Sequence, residues 1–286
     1  MTQREHVIAG RYQDRLHLAE RIARQFVTLP GVVAVALGGS LGRAVPGTAE
    51  SVIGQPGDVD LYVYAGEPPP LELRRDAVRS LGGRDVELDR RFWETDDAWV
   101  DGAAGVLIEV MYRAPGWIER EFERLFVHHE ASIGCTTSLA DNVHDSVALA
   151  DPTGWYAALQ RLTGEPYPMA LRDAIVAKNY PILRGTHASF RDQIASAIRR
   201  QDTNAVAHRT TALLTSFWDI LFAINLALHP GEKRLVAFAE QRCPNRPDNL
   251  GDRISAITTA IPSPDLLPLL DALLDDLDAC IVVAAP

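Results

Sequence analysis

Two acidic residues near the start of the chain have the types and spacing to do chemistry. Asp58 and Asp60 lie two positions apart in DVDLYVY (residues 58–64), a segment that alternates polar and apolar residues as a β-strand does. Their carboxylates then face the same way, and like charges so close repel each other unless a cation lies between them. The spacing predicts a divalent metal site, because Mg²⁺ prefers oxygen ligands of this kind. The alternative is a solvated strand face.

A glycine corner precedes this acidic strand. Gly38, Gly39 and Ser40 follow VVAVAL, a β-branched, fully apolar segment that is typical of a short buried strand. Glycines let the backbone approach a ligand closely and turn its N–H groups toward an anion, and the Ser40 hydroxyl adds one more donor. The corner therefore predicts a phosphate-binding loop beside the carboxylates, and the alternative is a plain turn.

A third acid, Glu109, lies in VLIEVMY, a segment that otherwise consists of core residues. An acid in such a strand needs a partner, since burying an unpaired charge is costly. Glu109 is then either a further metal ligand or the ion-pair partner of an arginine such as Arg113 or Arg43.

Taken together, these pieces resemble the motif of the DNA polymerase β nucleotidyltransferase superfamily, and more narrowly the bacterial minimal and aminoglycoside-type nucleotidyltransferases. The motif is a Gly-Ser pair, then Asp-x-Asp, then an acid on a later strand. In that family the pair holds a triphosphate and the acids hold two Mg²⁺ ions, so the resemblance implies these roles for Gly39, Ser40, Asp58, Asp60 and Glu109. Two departures are a longer loop, with VPGTAESVIGQPG (residues 45–57) as an insertion near the site, and Glu where Asp is common.

The elements that must position these residues divide the chain into two parts. Helix and strand patterns alternate up to about residue 150, and the pattern is helical from there to the end, with long segments at about 170–200, 203–228 and 265–283. We expect an α/β catalytic domain, a mixed sheet flanked by helices, over residues 1–150. An all-α helical bundle should follow over residues 151–286, and the resemblance implies that it presents the acceptor substrate.

The most apolar helical segment, residues 206–228, contains two polar residues. Asp219 and Asn225 either line the acceptor side of a site or make internal hydrogen bonds. The motif HPGEKR is expected to end this helix at Pro230 and Gly231. It places Lys233 and Arg234 where they could contact the β- and γ-phosphates of a nucleotide, together with Arg43 beside the glycine corner. The alternative is an exposed basic turn.

Composition excludes several classes of protein. The chain has 286 residues and a net charge of −10, which disfavours non-specific binding to nucleic acid or to an anionic membrane. Three widely spaced cysteines favour neither a disulfide framework nor a zinc knuckle. The N-terminus is charged and no apolar run reaches the length of a membrane span, so we expect a soluble, cytoplasmic protein.

The sequence thus predicts an Mg²⁺-dependent nucleotidyltransferase. It would move a nucleoside monophosphate, AMP from ATP in the favoured case, to a hydroxyl of a small molecule or macromolecule and release pyrophosphate. Two Mg²⁺ ions are expected, with Mn²⁺ as a substitute. The alternatives are an aminoglycoside or lincosamide resistance enzyme, a toxin–antitoxin component that adenylylates a protein or tRNA, and a nucleotide-binding module without catalysis.

Overall fold

The computed structural model describes residues 3–43 and 57–284 of the chain. The described residues form two compact units, the first made of residues 1–122 and 142–165 and the second of residues 123–141 and 166–286. The predicted insertion at residues 45–57 lies outside the described residues except for Gly57. The predicted assignment of catalysis to residues 1–150 and of acceptor binding to residues 151–286 stays a prediction.

The first unit contains a six-stranded sheet and the helices that flank it. Its elements, in chain order, are α1 (Gln3–Phe26), β1 (Val32–Leu37), α2 (Gly39–Gly42), β2 (Val59–Ala65), α3 (Leu71–Ser80), β3 (Gly83–Arg90), β4 (Thr95–Asp101), β5 (Leu107–Arg113), most of α4 (Pro115–Phe126), the end of α5 (Ser138–His144), β6 (Val147–Ala150) and α6 (Trp155–Gly164). The strand order is β3-β4-β5-β2-β1-β6. Strands β2 and β5 are parallel and every other neighbouring pair is antiparallel. The predicted mixed sheet flanked by helices is confirmed.

One face of this sheet packs into the hydrophobic core of the unit. Val59, Leu61 and Val63 of β2 pack there with alternate residues of β5 and with apolar residues of α1 and α3. The residues between them, Asp60 and Tyr62, face the other side of the sheet because side chains alternate along a strand. The alternation read from DVDLYVY is therefore confirmed, and it sets the orientation of the acidic residues.

The second unit is helical, as predicted. Besides the end of α4 and the start of α5, its helices are α7 (Met169–Tyr180), which continues into a short π-helix (Pro181–Gly185), and α8 (Phe190–Arg199), α9 (Thr203–Ile224), α10 (Leu235–Arg242), α11 (Leu250–Thr259) and α12 (Leu266–Ala284). The central helix is α9, and its residues 216–224 are all buried. In the described part of the chain, no helix combines the length and the apolar character that crossing a membrane requires.

The structure corrects two details of the sequence analysis. Helix α9 ends at Ile224, before the predicted end at Pro230 and Gly231, because Leu226 takes a left-handed backbone conformation that a helix cannot continue through. Strand β4, with the sequence TDDAWVD, was not predicted, because its three aspartates are unfavourable for a strand.

Candidate functional site

The glycine corner lies directly against the acidic strand. Strand β1 ends at Leu37, and the N–H of Gly38 donates to the carbonyl oxygen of Asp60 at 2.9 Å. Gly39 has φ +60°, and a Cβ added to it would lie 1.8 Å from Oδ2 of Asp60. No other residue type fits this position without moving the carboxylate. The predicted neighbours, Gly39 and Asp60, are therefore in contact.

Glu109 lies beside Asp60 on the neighbouring strand. The parallel register of β2 and β5 pairs the two residues directly, and neighbouring strands are about 4.8 Å apart. Both residues face away from the hydrophobic core, since Val59 and Ile108, the residues next to them, pack into it. The fold thus brings the corner and two of the three predicted acids together, at the end of β1 and the starts of β2 and β5.

Asp58 and Ser40 lie at the border of this cluster. Asp58 immediately precedes β2, and its side chain is exposed. Ser40 is also exposed, in the single turn of α2 that starts at the corner. Both side chains can be reached by a ligand from solvent, and their predicted roles in binding metal and phosphate stay predictions.

The ion pairs around the site differ from those that the sequence suggested. Oε1 of Glu109 accepts a hydrogen bond of 2.9 Å from Nη2 of Arg90, the last residue of β3. Arg113 instead pairs with Glu94, and its guanidinium lies 4.0 Å from the centre of the Tyr62 ring. Arg43, predicted to face phosphate, pairs with Asp145. The partner of Glu109 is thus neither of the two arginines suggested.

Sequence reasoning missed Arg90 because it missed β4. Arg90 reaches Glu109 across that strand, whose Ala98 is paired with Glu109 on one side and with Glu87 of β3 on the other. The alternation of RDVELDRRFW (residues 84–93) predicts one strand in this region, and the short apolar run at residues 98–100 was the signal that could have located a second. Only the strand order β3-β4-β5 makes Arg90 a neighbour of Glu109.

The carboxylates fit a divalent cation only in part. Asp58 and Asp60 offer the oxygen ligands that Mg²⁺ prefers, but the carboxylate of Glu109 is already bonded to Arg90. Within residues 3–43 and 57–284, no three His, Cys, Asp or Glu side chains are arranged to hold a metal ion. An ion on all three acids would require Glu109 to leave Arg90. The two Mg²⁺ ions stay a prediction.

The polar residues predicted for the acceptor side belong to the second unit, where both make internal hydrogen bonds. Asp219 is buried and accepts from the backbone N–H of Thr136 at 2.9 Å and from its hydroxyl at 2.6 Å. Nδ2 of Asn179 donates to the same carboxylate at 3.3 Å. Asn225 donates to the carbonyl oxygen of Asn245 and accepts from its N–H. These bonds stabilise the helical unit, and an acceptor-side role for either residue stays a prediction.

The basic residues of HPGEKR also lie in the second unit. Lys233 and Arg234 are exposed, in the turn that leads into α10. Arg234 is the residue before the first turn of that helix and has a left-handed backbone conformation, with φ 56°. Their predicted contacts with phosphate stay a prediction.

Burial changes the ionisation of Asp219. It raises the pKa of this carboxyl to about 6, although the hydrogen bonds from Thr136 and Asn179 favour the charged form. The folded state then holds a proton that the unfolded chain releases near pH 4. The stability that this proton provides is complete below about pH 4 and is lost as the pH rises through about 6.

We therefore predict that Asp219→Asn changes how stability depends on pH. The wild type should lose free energy of unfolding as the pH rises from 4 to 6, and the variant should not. The difference between the two should therefore change in favour of the variant by up to about 3 kcal/mol over this range, because one pKa unit is worth about 1.4 kcal/mol. Urea denaturation at half-unit pH steps measures the difference. The exposed Asp252→Asn serves as the control for loss of one carboxylate. Parallel pH profiles for wild type and Asp219→Asn would contradict the prediction.

Comparison with known proteins adds little. No family model and no curated protein matches the chain. Among solved structures, it is similar to a nucleotidyltransferase-like protein from Exiguobacterium sibiricum 255-15, with a TM-score of 0.43 and 11% identity, over 93% of this chain and 74% of that chain. So weak a likeness assigns neither a family nor an activity. Any function must therefore follow from the geometry of the site.

Proposed function

We propose that the chain binds a nucleoside triphosphate, ATP in the favoured case, with a divalent cation and transfers its nucleotidyl group to a hydroxyl. One observation carries this proposal: the backbone of Gly38 and Gly39 touches Asp60, which lies in register with Glu109. A backbone corner suits phosphate oxygens, and adjacent carboxylates suit the cation that accompanies them. Few other ligands need a backbone corner and two carboxylates that lie on neighbouring strands.

The residues of the site divide the work in this proposal. The N–H groups that begin the α2 turn, with the Ser40 hydroxyl, donate to the triphosphate. Asp58 and Asp60 hold Mg²⁺, which when bound would offset phosphate charge and lower the pKa of the acceptor hydroxyl. Catalysis by positioning and charge neutralisation requires no covalent intermediate with the protein.

A second candidate is a nucleotide-binding module without catalysis. The ion pair between Glu109 and Arg90 favours this candidate, because Arg90 binds the carboxylate that would complete the three catalytic acids of the resembling family. The two candidates share the ligand and differ in turnover. They also share the dependence on Asp60.

The test is nucleotide binding and turnover measured on the same preparation. We expect calorimetry to show that ATP binds with Mg²⁺ and much more weakly with EDTA. Pyrophosphate release should then appear with at least one member of a panel of hydroxyl acceptors, including aminoglycosides, tRNA and a cell lysate. Mg²⁺-dependent binding without pyrophosphate release would favour the module, and equal ATP affinity in EDTA would contradict both candidates.

A further inference from the structure

The aromatic ring of Tyr62 lies directly against the glycine corner. Tyr62 follows Asp60 on the face of β2 that points away from the hydrophobic core, and it is 9% exposed. A Cβ added to Gly38 would lie 2.3 Å from Cε2 of Tyr62, and its three nearest heavy atoms beyond the chain neighbours would all belong to that ring. Gly38 itself has an extended backbone, with φ −108°, so the ring and not the backbone excludes a side chain here.

Arg113 of β5 holds this ring in place. Its guanidinium carbon lies 4.0 Å from the centre of the Tyr62 ring, which is a cation–π contact. Glu94 fixes the guanidinium by accepting hydrogen bonds from Nε at 2.9 Å and from Nη2 at 3.0 Å. A planar guanidinium held by two bonds to one carboxylate has little freedom to turn. The Tyr62 ring therefore packs on a rigid group.

Asn142 links the ring to the guanidinium. Its Nδ2 donates to the hydroxyl of Tyr62 at 3.1 Å, and its Oδ1 accepts from Nη1 of Arg113 at 3.2 Å. The ring is thus fixed at its hydroxyl end as well as on its face. Glu94, Arg113 and Asn142 lie in the same unit as Tyr62 and form one connected group around it, which we name the corner support.

A phosphate-binding corner must keep its N–H groups in one direction. The carbonyl oxygen of Gly38 accepts from the N–H of Gly42 at 2.9 Å, which closes the single turn of α2. Glycine has the greatest backbone freedom of any residue and no side chain with which to anchor itself. Contact from a neighbouring group therefore limits the directions that the corner can take, and the Tyr62 ring makes that contact.

We infer that Tyr62 is a positioning residue for the phosphate-binding corner, and that the corner support fixes its ring for this purpose. The inference rests on the proposed function, because it concerns the same site. Tyr62 acts on nucleotide affinity through the backbone of Gly38 and makes no bond to the nucleotide. Two consequences can be measured: the ring matters more than its hydroxyl, and Gly38 tolerates a side chain once the ring is removed.

A double-mutant cycle tests the inference, with ATP and Mg²⁺ titrated calorimetrically into the full chain. Gly38→Ala should weaken ATP binding by about 10-fold or more, because the methyl group and the ring compete for one space. Tyr62→Val, which removes Cε2 and suits a strand, should weaken binding by about fivefold. The double variant should bind at most about twofold more weakly than Tyr62→Val, because the collision is gone. Additive losses would overturn the inference.

Two control variants make the same changes outside this contact. Gly66→Ala adds a methyl group at a position where a Cβ meets nothing within 4 Å. Tyr64→Val removes a ring from the same face of β2, where its centre lies 5.1 Å from those of Trp155 and Tyr156. Both variants should bind ATP as the wild type does, although Tyr64→Val should melt at a lower temperature.

Tyr62→Phe separates the ring from its hydroxyl. This variant keeps the contact with Gly38 and loses the bond from Asn142, so its ATP affinity should stay within about threefold of the wild type. A loss as large as that in Tyr62→Val would overturn the inference. Thermal melts establish that each variant is folded. Should Tyr62→Val not fold, wild-type affinity in Gly38→Ala would still overturn the inference.

The outcomes also separate the inference from the proposed function. A wild type that binds ATP with Mg²⁺, together with additive losses in the cycle, would overturn the role of Tyr62 and leave the proposed function standing. A wild type that binds no ATP at millimolar concentration would overturn both.

Discussion

Gly39→Ala is expected to weaken ATP binding by about 100-fold or more, equivalent to about 2.7 kcal/mol. The added methyl group would lie 1.8 Å from Oδ2 of Asp60, so either the corner or the carboxylate must move. Both groups are proposed to contact the nucleotide and its cation, and either movement separates them. Calorimetric titration with ATP and Mg²⁺ measures the loss.

Gly31→Ala is the matched control for this variant. Gly31 also has a left-handed backbone, with φ +79°, but a Cβ there meets nothing within 4 Å. Both variants carry the same kind of backbone strain, of about 1–2 kcal/mol, and only Gly39→Ala adds the collision with Asp60. In Gly31→Ala we expect a small loss in melting temperature, from the backbone strain alone, and the ATP affinity of the wild type. If Gly39→Ala bound ATP as well as this control does, the corner would be a plain turn.

Asp60→Asn is expected to remove Mg²⁺-dependent ATP binding and to reduce turnover by about 1,000-fold or more. The substitution keeps the shape of the side chain against Gly39 and removes its charge, so the metal loses a ligand worth several kcal/mol in the transition state. Pyrophosphate release and calorimetry with and without EDTA measure the two effects.

Asp76→Asn controls for the loss of one negative charge in the same unit. Asp76 is exposed on α3 and pairs only with Arg79 among its described ion pairs, at 2.9 Å. This variant should keep the ATP affinity and turnover of the wild type. Unchanged Mg²⁺ dependence in Asp60→Asn would show that the acidic strand does not hold the cation.

The local elements around the site could be predicted from the sequence because their signals are local. Strand β1 is Val32–Leu37, as VVAVAL indicated, and the alternation of DVDLYVY placed Asp60 opposite the core. Each prediction depends on side-chain periodicity within about seven residues, which the backbone imposes wherever a strand forms. The mixed sheet followed by helices was predicted in the same way.

Strand β4 depends on contacts that no local pattern contains. Its Asp97 is fully buried, where it accepts hydrogen bonds from Arg74 and from Tyr112, both at 2.6 Å. Without those partners, TDDAWVD is too acidic to favour a buried strand. The strand is stable because the folded sheet supplies them.

The sequence by itself was enough to identify the acids, the glycine corner and the face of the sheet on which Asp60 lies. Only the tertiary structure decided which groups neutralise those acids: Arg90 reaches Glu109 from two strands away, and Thr136 meets Asp219 across 83 positions of the chain. An ion pair of this kind depends on the order in which strands and helices pack. Periodicity reports which way a side chain faces, whereas the strand order determines what it faces.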